Sequence, residues 1–234
     1  MDAAPEMTNH ALLALYYLCR ISPRRLHMAA VAGAIPHLRA LLEQQSPLKQ
    51  FALPILCDMA HASPAAWQPL WESGGPRVYL DLLTEQYWQK SALGALERWI
   101  GSQPTQVEDV VLTSDTLHRI VQVFRTAQTT WFEDLLEPLL GIIRRSRRFS
   151  AALGASPLFM TELVQRLRYP KAMVLKTLLR MLKAIHDASR SKRRLLLDYG
   201  LYAAVADLAR ENSKVLVQEI ASQLLAEFNG SLEL

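Results

Sequence analysis

Leucine, isoleucine and methionine recur at steps of three and four through most of the 234 residues. Leu175, Leu178, Leu179, Leu182 and Ile185 make one such stripe, and Leu216, Ile220, Leu224 and Phe228 another. Residues spaced this way share one face of an α-helix, whereas a half-buried strand alternates. Alternating Val/Ile/Thr runs are absent, so the pattern predicts an all-α chain.

The stripes themselves repeat. A shift of 41 lays Ala11-Leu12 on Ala52-Leu53, Leu15 on Leu56, Leu18 on Met59 and Ser22-Pro23 on Ser63-Pro64. A further 40 reaches Ala92-Leu93, Leu96, Trp99 and Pro104, and steps of 43 reach Leu135-Leu136, Leu139 and Ile142, then Leu178-Leu179, Leu182 and Ile185. A period of about 40 to 45 residues means a helical solenoid or a propeller, and the helical spacing selects the solenoid. Each unit reads as three helices. A short first helix opens near Pro23, Pro64, Pro104, Phe149 and Leu195, and a middle one covers 35–44, 76–84, 116–126, 157–168 and 201–210. A longer third helix covers 9–21, 47–62, 87–101, 130–145, 171–187 and 214–228. Gly33, Gly74-Gly75 and Gly200 stand between first and middle helices, where a positive φ lets the chain turn sharply. Pro54 and Pro138 fall inside third helices and should kink them. Three helices per unit favour the armadillo plan over the two-helix HEAT plan. The expected fold is therefore an armadillo/HEAT-like solenoid of about five to six repeats. The repeat domain is expected over 9–228, after a short leader at 1–8 and before a frayed tail at 229–234 that follows a helix cap at Asn229-Gly230. Because the chain opens on a third helix, its first repeat looks truncated, as in a fragment of something longer or a domain with an unusual cap.

Composition narrows the class. Half the residues are hydrophobic and 21% are charged, which suits a packed soluble core and excludes a disordered or collagenous chain. No apolar run approaches the roughly 18 to 20 residues that cross a bilayer. Two cysteines, Cys19 and Cys57, are too few for a disulfide framework and fit a reducing, cytoplasmic or nuclear compartment. Charge is unevenly placed: residues 1–117 carry −3, 118–234 carry +7, and 144–194 alone hold 14 basic residues against Glu162 and Asp187, a net +12. Such a field should draw in an acidic partner.

Catalytic patterns are missing. Gly74-Gly75-Pro76 lies between helices with no basic residue set for a phosphate, and Cys57 with His61 is only half of a zinc site. His10, His27, His37, His118 and His186 are scattered, and Glu133, Asp134 and Glu137 read as a solvated helix face. No metal, cofactor or reaction is expected. Trp88 and Trp131 occupy matching positions one period apart, while Trp67, Trp71 and Trp99 sit at core spacings, so the indoles read chiefly as packing.

A stacked solenoid binds along its third helices, whose outward side chains form one wall. The register predicts one row of Leu13, Pro54, Gly94, Glu137 and Arg180, and an adjacent row of Tyr17, Asp58, Arg98, Gly141 and Ala184. Lys176, Arg180 and Lys183 project together from the fifth third helix, and Arg144 with Arg145 could extend them. These basic residues suit acidic or phosphorylated side chains. The plain alternative is a solvated polar face, and the shortage of acids speaks against it. A second class of function, binding of nucleic acid or anionic membrane through 144–194, needs little more than clustered Lys and Arg. The lack of interleaved aromatic residues there disfavours nucleic acid.

Three stretches carry a resemblance to a family: Asn9 to Arg25 (NHALLALYYLCRISPRR), Ala32 to Leu38 (AGAIPHL) and Pro47 to His61 (PLKQFALPILCDMAH), continued by Gln86-Tyr87-Trp88-Gln89. The chain resembles the armadillo-like region C-terminal to the kinase domain in fungal septation-initiation and mitotic-exit kinases, relatives of the plant MAP-kinase-kinase-kinase epsilon group. The match is dense over 9–100 and thin beyond about 110. The resemblance implies a non-catalytic region that docks a cytoplasmic kinase on a Ras-like small GTPase and on a spindle-pole scaffold, at the spindle pole body or septation site, with self-association also associated with such kinases. The chain has no kinase glycine loop, His-Arg-Asp loop or Asp-Phe-Gly.

Overall fold

In the computed structural model, described over residues 3–43, 47–102, 104–211 and 214–232, the regular structure is helical throughout. The opening third-type helix is α1 (Ala3–Ile21). The next repeat holds α2 (Pro23–Val31), α3 (Ala34–Glu43) and α4 (Lys49–Ala62). A 3₁₀ turn (Pro64–Ala66) then leads into α5 (Trp67–Glu72) and α6 (Pro76–Leu82), and another (Gln86–Trp88) into α7 (Gln89–Ser102). The remaining repeats are α8 (Pro104–Val111), α9 (Ser114–Thr126) and α10 (Thr129–Arg145); α11 (Arg147–Gly154), α12 (Pro157–Arg166) and α13 (Ala172–Ala188); and α14 (Lys192–Asp198), α15 (Leu201–Glu211) and α16 (Val215–Leu232). The three-helix repeat is thus observed.

Local sequence explains the corners. Ser22 and Ser146 cap the helices that follow, their Oγ atoms accepting from the backbone N–H of Arg25 (3.4 Å) and Phe149 (3.0 Å). Pro23, Pro76 and Pro157 open helices where a missing N–H costs nothing. Gly33, Gly74, Gly75 and Gly200 have φ of 87°, 105°, 51° and 63°, and each lies at a first-to-middle corner as its sequence position predicts. The α8–α9 and α11–α12 corners have no positive-φ glycine among the described residues and turn on extended Thr113 and Ser156 instead. Both α4 and α10 continue through their internal prolines.

Two compact units divide within α7: Met1–Trp99 and Ile100–Leu234. In the first, α1 and α4 pack together, and Leu53, Leu56, Met59, Leu93 and Leu96 are buried at the repeating positions. Trp71 stacks on Trp99 (5.9 Å between centroids), and buried Tyr79 donates its hydroxyl to the Leu56 carbonyl (2.9 Å), tying a middle helix to a third helix. In the second, α10 packs on α13 and α13 on α16 around Leu136, Leu139, Ile142, Leu179, Leu182 and Ile185. Burying each such side chain is worth about 1.5–3 kcal/mol, so the repeating stripe is the main source of cohesion.

The structure departs from the sequence reading at several points. Helix α1 starts at Ala3, inside the expected leader, and α16 runs on to Leu232, so Asn229-Gly230 is helical and caps nothing. Residues 1–2 and 233–234 lie outside the described residues. Leu18 is 47% exposed and Leu216 41%, although both sit in predicted stripes. Cys19 and Val217 are the buried neighbours instead, a one-residue shift confined to one end of each helix, since Leu12, Leu224 and Phe228 are buried as the stripes predict.

Candidate interaction surface

Third helices bury one face and leave the other to solvent. On α1, Tyr17 is 64% exposed beside Tyr16, whose ring meets Tyr17 and Phe51 of α4 edge-on at 5.5 and 5.4 Å. Arg20, one turn on, donates to the Tyr16 hydroxyl and holds its guanidinium 5.3 Å from that ring. On α4, Asp58 is exposed while Cys57 and Met59 on either side are buried. Desolvation raises the Asp58 pKa, with His61 and Arg20 pulling the other way. Desolvation lowers that of His61; Arg98 adds to this, and Asp58 and Glu97 oppose it. A Cβ at Gly94 of α7 would stand 4.0 Å from His61 Nε2, an ordinary contact distance, so the imidazole lies against the neighbouring third helix. Tyr17, Asp58 and Arg98 therefore come onto one surface of α1, α4 and α7.

Tyr16, Arg20 and His61 also belong to that surface and were missed by the two rows. The available signal was the register itself: Arg20 and His61 occupy the position three residues beyond Tyr17 and Asp58. Leu13, Pro54 and Gly94 of the other row are half-buried. Burial pushes the Cys57 thiol up to about 12, with Asp58 adding, so it stays protonated.

In the second unit Arg180 is exposed and Lys176 half-buried, and neither forms an ion pair among the described residues. Lys183 is committed across repeats. It meets Glu227 of α16, and Asp187 lies at 3.7 Å; the hydrogen bond to Glu227 is the chief cause of its raised pKa. Arg144 is exposed, while Arg145 lies along Gly101, where a Cβ would stand 3.0 Å from its Nη1. Gly141 and Ala184 are half-buried and Glu137 exposed, its carboxylate accepting from Thr177 (3.4 Å).

The +12 of residues 144–194 is a property of the linear stretch, and the fold supplies acids from outside it. Arg148 pairs with Glu108 (3.3 Å) and Asp109 (3.0 Å), Lys171 with Glu133 (2.8 Å), Arg194 with Asp198 (3.6 Å) and Lys183 with Glu227. Arg166 pairs with Glu162 (2.7 Å), donates to the carbonyls of Arg125 and Ala127, and stacks 3.8 Å from the Phe132 centroid. Arg148, Lys171, Lys183 and Arg166 thus tie one repeat to the next, while the Arg194–Asp198 pair stays within α14. Among the described residues no helix is long and apolar enough to cross a membrane. Trp99 is buried, whereas Trp131 is exposed at the start of α10.

No family model matches the chain. Over 94% of its length it is homologous to cytokinesis protein sepH of Aspergillus terreus (35% identical), MAP3K epsilon protein kinase 1 of Arabidopsis thaliana (34%) and cell division control protein 7 of Schizosaccharomyces pombe (27%). The chain spans 17%, 17% and 21% of the length of these curated relatives. Among solved structures it is similar to computationally designed armadillo repeat proteins for modular peptide recognition (18% identical, TM-score 0.75, covering 95% of this chain and 93% of that one). A designed armadillo repeat protein in complex with the peptide (KR)4 is similar too (18%, TM-score 0.75, covering 97% and 95%). The fold is armadillo-like.

Proposed function

We propose that the chain is a non-catalytic docking region of a kinase in the septation pathway, binding protein partners on its third helices. The carrying observation is the alternation on α1, α4 and α13: Tyr17, Asp58 and Arg180 are exposed while the stripes beside them are buried, which is surface available for a ligand. The contacts are Tyr17, Asp58 and Arg98 on one unit, and Arg144, Arg145, Lys176, Arg180 and Lys183 on the other. The proposed partner is a Ras-like small GTPase or a spindle-pole scaffold, in the cytoplasm at the spindle pole body or septation site, and self-association is a further use of the same surface. Arg180 and Lys176 offer charge-assisted hydrogen bonds to acidic side chains, and Tyr17 an amphipathic anchor. The repeat domain over 9–228 is taken as the working unit.

Pull-down with the small GTPase loaded with GTP or GDP tests the reading. Retention by the wild-type chain is expected, lost in Asp58→Lys and in Lys176→Glu/Arg180→Glu. Equal absence of binding in both nucleotide states removes the GTPase, and wild-type retention by both variants removes the surface.

A further inference from the structure

A different face of the second unit carries a basic trough that the third-helix surface does not use. A cavity of about 730 Å³ lies among α11, the 189–191 loop and α14, with Arg148, Arg190 and Arg194 on its rim and Ala151, Ala152 and Leu195 on its floor. A second hollow of about 640 Å³ shares Arg190, Arg194 and Asp198 with it and adds Lys192 and Arg193. Five cations thus border the two hollows, against Asp198 as the sole acid among the lining residues. Arg148 and Arg194 are already paired with acids, but Arg190, Lys192 and Arg193 have no ion-pair partner among the described residues. Ser191 stands between them, and its hydroxyl makes no hydrogen bond within the described residues.

Gly154 brings α11 onto α13 so closely that a Cβ there would stand 2.9 Å from Ile185 Cγ2, and the alanines beside it leave room above.

We infer that this trough binds a phosphorylated segment of an acidic protein. A guanidinium presents a planar fork that matches phosphate oxygens, and several forks around one hollow favour a dianion over a single carboxylate. The apolar floor accepts the side chains flanking the phosphate. Single-stranded nucleic acid is a poorer fit, because binding it requires successive rings for stacking and Tyr199 is the only aromatic residue on the lining. An anionic bilayer is a poorer fit too, because a broad charged surface resting on the rim would leave the apolar floor of Ala151, Ala152 and Leu195 unfilled. The trough lies outside the third-helix rows, so the inference stands independently of the GTPase reading.

The test is fluorescence anisotropy with a labelled peptide of alternating phosphoserine and glycine, and with its unphosphorylated form. The wild-type chain should bind the phosphopeptide at least about tenfold more tightly, as expected for several charge-assisted hydrogen bonds. Arg190→Gln/Arg194→Gln should lose that preference, and Lys176→Gln/Arg180→Gln should keep it. If the first variant does not fold by circular dichroism, Arg190→Lys/Arg194→Lys replaces it and should weaken the preference, since the charge remains and the forks are gone. Independently of any variant, the peptide should shift the Nε–Hε resonances of Arg190 and Arg194 in the wild-type chain. No preference for the phosphorylated form overturns the inference. So does equal loss in both glutamine variants, unshifted arginine resonances, or equally tight binding of oligothymidylate or phosphatidylserine vesicles through the same arginines.

Discussion

Gly154 shows how one missing carbon fixes a contact between helices. Its φ is ordinary, so the backbone would accept alanine, but the added methyl would sit 2.9 Å from Ile185 Cγ2, a branched side chain held in the core. Gly154→Ala should therefore destabilise the chain by about 1–3 kcal/mol despite its better helix propensity, measured by urea denaturation. An unchanged midpoint would mean that α11 can move off α13 at no cost. His186 is the second telling residue. It occupies the register position of Ile100 and Ile143, is 1% exposed against the Phe228 ring, and neither ring nitrogen has a hydrogen-bond partner among the described residues. Burial lowers its pKa below the ordinary 6.5; Lys192 adds to this, while Asp187 and Glu227 oppose it. A histidine held neutral in the fold leaves the unfolded chain binding the extra proton. Its contribution is complete above about 6.5 and is lost as pH falls through the folded value. His186→Ile should flatten the decline of stability on the acid side, leaving the slope that His61 contributes through its own lowered pKa. Thermal melts of both chains from pH 8 to pH 5 compare the slopes.

At the scale of elements, the helices were legible because each repeat must bury leucines at matching positions, and that constraint leaves a period in the sequence. Leu53, Leu93, Leu136 and Leu179 reveal it, and all four are buried. The one-residue shift at one end of α1 and of α16 was illegible, since Leu18 against Cys19 and Leu216 against Val217 are decided by neighbouring elements and not by spacing. The polar braces were also missed, though they follow the same period. Arg148 reaches Glu108 forty residues back, Tyr169 reaches Glu133 thirty-six back, and Lys183 reaches Glu227 forty-four ahead. A search for opposite charges one repeat away would have found them. The brace between α8 and α11 makes the strongest case. Glu108 is nearly buried and accepts from Ser146 Oγ at 2.5 Å as well as from Arg148, while Ser146 itself caps α11. Glu108→Ala should leave the Ser146 hydroxyl without its acceptor in the interior, at a cost of about 1–3 kcal/mol. Amide hydrogen exchange should show lost protection concentrated in α8 and the first turn of α11. Uniform loss across both units would contradict a local brace.

For the molecule as a whole, the distribution of charge decides between a docking protein and a general polyanion binder. The sequence has a net charge of +4. Its densest basic stretch is answered in the fold by Asp109, Glu133 and Glu227, which pair with Arg148, Lys171 and Lys183. These acids do two things at once: they join repeats, and they cancel field that would otherwise hold any polyanion. The pairs are exposed apart from half-buried Glu133, so each contributes little to stability, and their removal should act mainly on the field. The triple variant Asp109→Asn/Glu133→Gln/Glu227→Gln should therefore stay folded and elute from heparin at higher salt than the wild-type chain. Counterion release makes that elution a direct measure of the cations a polyanion can reach. Wild-type elution already at the variant's salt would mean that the paired lysines and arginine were available throughout, which would favour the polyanion binder. Early wild-type elution with a clear upward shift in the variant would mean that the acids restrict the accessible basic surface to sites such as Arg180 and the 190–194 trough, as a module selective for its partner requires.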